Sequence, residues 1–392
     1  MNYIPRKIEP LLKDTLKRHK SILLLGARQT GKTTLINRLK PDLSISFIQP
    51  AVRLMYEQNP SRLAGEIEAL AETQKNKLLI CIDEVQKIPE ILDVIQDLID
   101  RKLADFILTG SSARKLRSGN KINLLPGRVA LFHLDPLTYH ESSSLHPSIE
   151  ELLLYGSLPA IVLLTEQRYR EIDLASYVTT YLEEEIRSEA VVRNVGQFAR
   201  FLNLAAAESG SIVNFRKLSQ EIGVAHTTIT AYYQILEDCL VAERIEPLLK
   251  TKMRRKLIKS AKYIFFDLGV RRLAADEGSK LPIRYMGSLF EQWVGLELIR
   301  CARLSEKRAR VYFWRDANGP EVDWVLETEG SYIPIEVKWT NNPTNADIKH
   351  LELFSQEYEE TTTAYVVCQV PRKIKLAHNI YALPWQEIDS LL

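Results

Sequence analysis

Gly26-Ala-Arg-Gln-Thr-Gly-Lys-Thr33 decides the fold of the N-terminal part of this 392-residue chain. The stretch has two glycines and a Lys-Thr pair at the spacing of a phosphate-binding loop, directly behind the apolar run Ser21-Ile-Leu-Leu-Leu25. Glycine lets the backbone curl so that successive N–H groups point at an anionic phosphate. The helix that follows aims the positive end of its dipole at the same place. The pattern therefore predicts a nucleotide site between a buried strand and a helix.

The residues of this loop have distinct expected roles in binding ATP and Mg²⁺. Lys32 is placed to reach the β- and γ-phosphates, and the hydroxyl of Thr33 is placed to ligate magnesium. The other expected nucleotide contacts are Gly26, Ala27, Arg28, Gln29, Thr30, Gly31 and Thr34. A glycine-rich turn without a ligand is the ordinary alternative, but the strand before the loop and the helix after it favour the nucleotide site.

Length and composition describe a globular protein of two to four domains. Apolar residues make up 45% of the chain, and the net charge is only +2. Because the charge balance is close to zero, any contact with nucleic acid must come from local basic segments. No apolar run is long enough for a membrane span, and the N-terminus lacks the apolar core of a signal peptide.

The four cysteines are far apart and have no histidine cluster beside them. They are Cys81, Cys239, Cys301 and Cys368. This spacing argues against a disulfide framework or a zinc site and favours a reducing compartment. We therefore expect a cytoplasmic protein with no membrane partner.

Apolar strands and helical stretches alternate after the phosphate-binding loop. The expected strands lie at 44–48, 77–82, 105–109 and 129–134, and helical patterns fill 51–73. This alternation predicts a doubly wound α/β domain with a parallel sheet and ligands at the carboxyl ends of its strands.

The expected strand at 77–82 is followed directly by Asp83-Glu84, about fifty residues after the loop in the chain. Asp83 would hold the metal, directly or through water, and Glu84 would polarise the water that attacks the phosphate. A pair of surface acids at a strand end is the alternative.

The intervening strand places this pair in the additional-strand class of P-loop ATPases, where a further strand lies between the loop strand and the acidic strand. That further strand ends at 109–112, and its Ser111 and Thr109 are both candidates to contact the γ-phosphate or the water, unless the segment is only a turn.

Phosphoryl transfer also needs positive charge on the transition state, often from an arginine of a neighbouring subunit. The candidates are Arg128, Arg114 and Arg28, of which Arg128 is preferred. Whether it acts within its own chain or in a homo-oligomer is left open by the sequence.

The sequence pattern predicts helices in the middle of the chain, followed by a helix-turn-helix. Residues 149–192, broken at 156–159, predict a small helical lid over the nucleotide, and 193–250 predict a winged helix with its tight turn at Gly223. The second helix, 227–238, contains no Lys or Arg, so reading of the major groove is not expected and a packing or partner role is favoured.

A basic run follows the winged helix without one acidic residue. It contains Lys250, Lys252, Arg254, Arg255, Lys256, Lys259 and Lys262. Non-specific contact with DNA phosphates and a solvated linker are both compatible with this run.

The C-terminal third contains a second chemical pattern. Glu291 lies in a helical stretch, Asp323 lies in a strand, and Glu336 and Lys338 lie on one face of the next strand, with a hairpin turn at 329–330. Two carboxylates and a lysine in this arrangement bind a magnesium ion and position a water for phosphodiester attack, with Glu291 as a further ligand. Exposed hairpins also carry such residues, and nuclease-like domains with intact acids also serve as binding modules.

In this order the segments resemble the bacterial and archaeal AAA-type ATPases whose C-terminal domain of unknown function combines a winged helix with a PD-(D/E)XK nuclease-like fold. Besides the loop, the resemblance rests on Ile82-Asp-Glu-Val-Gln86, Leu108-Thr-Gly-Ser-Ser112, Phe266-Asp-Leu-Gly269, Phe290-Glu291, Glu321-Val-Asp323 and Ile335-Glu-Val-Lys338. It covers nearly the whole chain and departs from the family at Gly156-Ser157, where a glycine pair is usual. It implies an ATPase core over 1–148, then the lid, the winged helix, and an α/β restriction-endonuclease-like domain over 251–392.

The expected function is a magnesium-dependent ATPase that couples nucleotide state to a nuclease-like C-terminal domain acting on or near DNA. The alternative is a non-cleaving nucleotide switch, in which the C-terminal domain is a protein-interaction or assembly module.

Overall fold

A computed structural model describes residues 3–74, 76–112, 125–182, 194–249, 257, 259–316 and 319–392. The chain divides into two compact units, Met1–Pro136 with Asp238–Val241, and Leu137–Glu237 with Ala242–Leu392. Arg114 and the part of the basic run at 250–256 lie outside the described residues. No helix in the described ranges is long and apolar enough to cross a membrane.

The first unit is an α/β layer structure around a parallel sheet. Its helices are α1 (Glu9–Lys17), α2 (Lys32–Leu39), α3 (Pro50–Gln58), α4 (Arg62–Thr73) and α5 (Ile91–Asp100). Its strands are β1 (Ser21–Leu25), β2 (Leu43–Ser46), β3 (Leu78–Asp83), β4 (Ala104–Gly110) and β5 (Val129–His133). A 3-10 turn, Val85–Lys87, follows β3.

The order of the described strands is β2-β3-β4-β1-β5, and all neighbours are parallel. The strand β4 therefore separates the loop strand β1 from the acidic strand β3, which confirms the predicted additional-strand arrangement. Every residue of β1 and β4 is buried, as expected for parallel strands that are covered on both faces. The carboxyl ends of β1, β3 and β4 meet at one edge of the sheet, and this edge carries the predicted nucleotide residues.

The second unit contains ten described α-helices and eight described strands. The helices are α6 (Tyr139–Ser142), α7 (Ile149–Tyr155), α8 (Pro159–Val162), α9 (Gln167–Ser176), α10 (Val195–Ala207), α11 (Phe215–Ile222), α12 (His226–Asp238), α13 (Leu268–Ala274), α14 (Met286–Leu304) and α15 (Lys349–Glu357). The strands are β6 (Ala242–Ile245), β7 (Lys262–Phe265), β8 (Ala309–Arg315), β9 (Glu321–Thr328), β10 (Ser331–Val337), β11 (Ala364–Cys368), β12 (Ile374–Ala377) and β13 (Ile380–Pro384). A π-helix, Tyr177–Leu182, continues α9, and 3-10 turns lie at Ser143–Leu145, Ile283–Tyr285 and Trp385–Leu391.

The predicted helix-turn-helix corresponds to α11 and α12. The side chain of Asn214 accepts a hydrogen bond from the backbone N–H of Lys217 and caps α11, and Gly223 ends this helix at a φ of 76°. The strand expected at 240–245 is β6, and it pairs antiparallel with β7. The small sheet thus joins a strand of the predicted winged helix to one that the sequence assigns to the C-terminal domain.

The first helix of the predicted lid is part of the core of the second unit. Ile149 and Leu152 on α7 belong to the same buried cluster as Phe290 and Trp293 on α14. The lid function of this segment therefore stays a prediction.

The turn after α7 is fixed by a buried carboxylate. The backbone N–H of Ser157 donates to Asp267 at 2.6 Å, and the other oxygen of Asp267 accepts from the N–H of Val270 and caps α13. A Cβ at Gly156, whose φ is 72°, would lie 2.0 Å from Asp267. Glycine is thus required at 156 but not at 157, and the chain's departure from the family motif is accommodated.

A six-stranded mixed sheet forms the C-terminal part, in the order β12-β13-β11-β10-β9-β8. The predicted hairpin joins β9 to β10, and its turn residues Glu329 and Gly330 both have positive φ, 52° and 87°. Neighbouring residues of β9 point to opposite faces of the sheet. On one face Trp324 packs in a buried cluster with residues of α14, and on the other face Val325 packs in a buried cluster with residues of α15. The sheet is therefore covered on both faces by helices.

Candidate functional site

The predicted phosphate-binding loop closes on the ammonium group of Lys32. The Nζ of Lys32 donates to the carbonyl oxygens of Gly26 at 2.7 Å and Ala27 at 2.9 Å. The hydroxyl of Thr30 donates to the carbonyl of Ala27 at 2.9 Å, and Gly31 stands before α2 at a φ of 98°. The loop therefore places a lysine ammonium and the N-terminus of α2 at the same point, as binding of an anionic phosphate requires.

Two contacts outside the motif support the loop. A Cβ at Gly26 would lie 2.4 Å from the carbonyl oxygen of Leu134, so only glycine allows the segment after β5 to approach so closely. The buried guanidinium of Arg6 donates to the carbonyl oxygens of Thr30 and Asp135, each at 2.7 Å. Arg6 was not among the predicted site residues, because no local pattern connects it with a loop 24 residues away.

The carboxylate of Asp83 lies at the end of β3 between two hydroxyl groups. Thr109 Oγ1 donates to Asp83 Oδ1 at 2.5 Å, and Ser46 Oγ donates to Asp83 Oδ2 at 3.2 Å. Thr109 also accepts a hydrogen bond from the backbone N–H of Glu84 at 3.3 Å. Thr109, one of the two candidates on the additional strand, thus contacts both acidic residues.

The carboxylate of Glu84 is buried, and its backbone adopts the left-handed conformation, with φ 59° and ψ 45°. Its Oε2 accepts from Ser111 Oγ at 2.8 Å and from Gln86 Nε2 at 2.5 Å. Ser111, the other candidate, therefore contacts the predicted base. Gln86 belongs to the quoted motif, but sequence analysis gave it no role.

Arg128 does not lie at the phosphate-binding loop of its own chain. It directly precedes β5, whose first residue, Val129, is opposite Ser21 at the beginning of β1. The loop follows the other end of β1, about 13 Å further along the strand. The guanidinium of Arg128 instead forms two hydrogen bonds with the carboxylate of Asp100, at 2.7 and 2.8 Å. Strand direction thus places Arg128 at the edge of the sheet opposite the loop of its own chain, and its role as the arginine of a neighbouring subunit stays a prediction.

This position gives a prediction for Arg128→Ala. We expect ATP turnover within twofold of the parent at protein concentrations where the chain is monomeric, because the described contacts that are lost are an exposed ion pair with Asp100 and a 3.4 Å hydrogen bond to the carbonyl of Pro126. The measurement is steady-state phosphate release over a dilution series with sedimentation analysis of the same samples. A loss of rate in the monomer would contradict the placement, whereas a loss confined to associated chains would assign Arg128 to a neighbour's site.

The second unit brings the predicted C-terminal residues together around a buried pair of carboxylates. Trp324 pairs with Ile335, and Asp323 and Glu336 are each one residue beyond that pair. Asp323 Oδ2 accepts from the backbone N–H of Val337 at 2.8 Å. Glu336 Oε1 accepts from Lys338 Nζ at 2.7 Å, whereas no described residue forms a hydrogen bond with the buried Glu336 Oε2.

A further lysine joins this cluster. Lys262 Nζ donates to Glu291 Oε1 at 3.0 Å and lies 5.1 and 5.5 Å from the ring centroids of Phe313 and Trp324. Lys262 is only 8% exposed. It therefore cannot be a surface contact for DNA phosphates, which corrects its place in the predicted basic run. Lys259 of that run is exposed.

Burial and neighbouring charge alter the protonation of this cluster. Burial, with repulsion from Glu291 and Glu336, raises the pKa of Asp323 well above its ordinary value. Burial also raises the pKa of Glu336, against the attraction of Lys338. For Lys338 burial acts downward, but its pairing with Glu336 outweighs it and the pKa is raised. Across the described ranges no group of three His, Cys, Asp or Glu side chains is arranged to hold a metal ion.

Three family models match consecutive parts of the chain. An AAA domain covers residues 18–143, a domain of unknown function, DUF8612, covers 146–280, and a second one, DUF4143, covers 286–388. The chain is an AAA-domain protein with a C-terminal DUF4143 domain. The AAA match supports ATPase-type activity in the first unit. The DUF8612 match spans the predicted lid, the predicted winged helix and the beginning of the predicted nuclease-like domain.

Relatives of known sequence extend over most of the chain. An uncharacterized protein from Mycobacterium tuberculosis is 28% identical over 338 residues, which cover 85% of this chain and 73% of the relative. An uncharacterized protein from Methanocaldococcus jannaschii is 25% identical over 329 residues, covering 71% and 67% respectively. Among solved structures, the Aeropyrum pernix ORC1 protein in complex with DNA is 11% identical, covers 70% of this chain and 93% of its own, and has a TM-score of 0.30.

Proposed function

We propose that this AAA-domain protein is a magnesium-dependent ATPase that uses Glu84 as the general base. The observation that carries the proposal is that residues at the end of β4 contact both acidic residues. Thr109 contacts Asp83 and Glu84, and Ser111 contacts Glu84. These residues share the sheet edge at which the phosphate-binding loop leaves β1. A triphosphate bound at the loop would therefore have its terminal phosphate beside a carboxylate and two hydroxyls.

The chain's own residues would bind the phosphates, fix the curl of the loop and accept the proton. The ammonium of Lys32 already lies within the loop, where phosphate oxygens would replace the carbonyls of Gly26 and Ala27 as its partners. Arg6 holds the carbonyl of Thr30 and so fixes the curl of the loop. The Glu84 carboxylate would accept a proton from the attacking water as its oxygen bonds to the γ-phosphorus, while the bond from that phosphorus to the β–γ bridging oxygen breaks and ADP leaves.

The residues that would hold magnesium are Thr33, which is exposed at the start of α2, and Asp83, which is half-buried at the end of β3. Hydroxyl and carboxylate oxygens are the ligands that Mg²⁺ prefers, so this donor set fits the ion. When bound, the ion would neutralise charge that develops on the phosphate oxygens. Thr109 and Ser46 hold the Asp83 carboxylate in place by hydrogen bonds.

For the C-terminal domain we propose a binding or assembly module whose state depends on the nucleotide, rather than an active nuclease. The contact of Lys262 favours this alternative, since this lysine is paired with Glu291, one of the predicted metal-binding carboxylates. Contact with DNA through the exposed Lys259 and the cations at 250–256 remains part of the proposal.

This choice predicts that supercoiled plasmid and single-stranded DNA stay intact when incubated with the protein, ATP and either Mg²⁺ or Mn²⁺. Agarose electrophoresis measures nicked and linear products. Glu336→Ala is compared with Glu352→Ala, because Glu352 is an exposed carboxylate on α15. Cleavage that disappears in Glu336→Ala and persists in Glu352→Ala would contradict the module assignment and restore the nuclease.

A further inference from the structure

The amide of Gln86 is enclosed between the predicted base and the additional strand. Gln86 is 1% exposed and lies in the 3-10 turn that follows Glu84. Its Nε2 donates to Glu84 Oε2 at 2.5 Å and lies 3.4 Å from Ser111 Oγ. A Cβ at Gly110 would lie 2.7 Å from Gln86 Oε1, so glycine at the end of β4 makes room for the amide.

The backbone of Glu84 is fixed independently of this contact. Its N–H donates to Thr109 Oγ1, and its carbonyl accepts from the N–H of Lys87 at 3.0 Å. These backbone contacts do not fix the carboxylate at the end of the Glu84 side chain. The amide of Gln86 and the hydroxyl of Ser111 both donate to the same oxygen, Oε2. Among the described residues no group donates to Oε1.

We propose that Gln86 is a positioning residue for ATP hydrolysis. It holds Oε2 of Glu84 so that Oε1 is turned to the attacking water and accepts its proton. This inference rests on the proposed function, in which Glu84 is the base. Because the two donors fix the orientation of the carboxylate before the water arrives, Oε1 needs no reorientation when the proton is transferred. The two donors act on one atom, so their effects on turnover are coupled.

The test compares the kinetics of Gln86→Met with those of the parent. Methionine has nearly the same volume but no amide donor, so the core is kept and the hydrogen bond is lost. We expect kcat for ATP to fall roughly 10- to 100-fold, because the base loses its orientation. The Kd of a fluorescent ATP analogue and the melting temperature should equal those of the parent, since Gln86 does not lie in the phosphate-binding loop.

A double-mutant cycle with Ser111→Ala adds a readout that a purely structural role would not move. We expect the combined variant to lose less activity than the product of the two single losses, because both donors serve Oε2. If Gln86→Met does not fold, Gln86→Asn replaces it in the cycle, since the shorter side chain keeps the amide but not its reach.

The outcomes separate this inference from the proposed function. If Glu84→Gln is inactive while Gln86→Met turns over at the parental rate, the inference is wrong and the ATPase assignment stands. A fall in kcat that is matched by weaker nucleotide binding or a lower melting temperature would also overturn it. If Glu84→Gln keeps the parental rate, the base assignment fails first.

Discussion

Glu84→Gln is expected to bind ATP as tightly as the parent while its rate of hydrolysis falls by roughly 10²- to 10⁴-fold. The substitution keeps the length of the side chain and its contacts with Ser111 and Gln86, but it removes the carboxylate that would accept the water's proton. Because Lys32 and the loop are unchanged, the binding of the triphosphate should be unaffected. Steady-state phosphate release gives kcat, and titration with a fluorescent ATP analogue gives Kd.

Glu90→Gln is the matched control, since Glu90 is an exposed glutamate just before α5. We expect its kcat and Kd to equal those of the parent. Parental turnover by Glu84→Gln would remove Glu84 as the base. Weakened nucleotide binding by Glu84→Gln would instead indicate that the acidic pair shapes the loop.

Arg300→Leu is expected to destabilise the second unit by about 3–5 kcal/mol, because it leaves a buried carboxylate without its cation. Arg300 and Glu297 are each 3% exposed, and their ion pair is 3.0 Å long. Arg300 also donates to the carbonyls of Leu137 and Phe266 at 3.0 and 3.1 Å. One side chain thus holds the beginning of the second unit to α14 and to the segment before α13.

Tryptophan fluorescence measures this effect selectively. All five tryptophans of the chain lie between residues 293 and 385, within the second unit. Urea unfolding followed by this signal gives the free energy of unfolding of that unit. Arg315→Leu is the control, because the side chains of Arg315 and its partner Glu321 are 44% and 43% exposed and the expected loss is below about 1 kcal/mol. A loss of less than about 1 kcal/mol in Arg300→Leu would contradict the account of the buried pair.

The same variant should show a defined pH dependence. Burial raises the folded-state pKa of Glu297 above its ordinary value of 4.5, and the attraction of Arg300 opposes this rise. A carboxyl whose folded-state pKa is raised contributes stability that is fully present below its unfolded-state pKa. This stability is lost as the pH rises through the folded-state pKa. Without Arg300 the folded pKa rises further. The deficit of Arg300→Leu should therefore be largest at neutral pH and smallest below about pH 4.5.

Local patterns predicted the sheet of the first unit and the place of its acids. The apolar runs around Leu25, Asp83 and Thr109 indicated strands, and the distance between loop and acids indicated the strand that β4 supplies. The hairpin at Glu329-Gly330 was readable for the same reason, since turn residues separate two alternating runs. Periodicity and spacing are local properties, so the sequence contains them.

Contacts between distant residues were not predictable in this way. The guanidinium of Arg6 contacts the phosphate-binding loop and also donates to the carbonyl of Asp135, which is 129 residues away along the chain. No motif marks Arg6. Lys262 was grouped with a basic run, but tertiary packing buries it beneath two aromatic rings beside Glu291. Arg128 was chosen by residue type, whereas strand direction decides which edge of the sheet it occupies. Gln86 lay inside a recognised motif, and only the position of its amide reveals a role.

Whether this chain hydrolyses ATP is decided by phosphate release from the purified protein, with and without Mg²⁺, when Lys32→Ala is measured beside it. We expect release that depends on Mg²⁺ and falls to the background rate in Lys32→Ala, because the loop then lacks the ammonium that donates to the carbonyls of Gly26 and Ala27. Release by the parent that is no faster than release by Lys32→Ala would contradict the assignment of this AAA-domain protein as an ATPase.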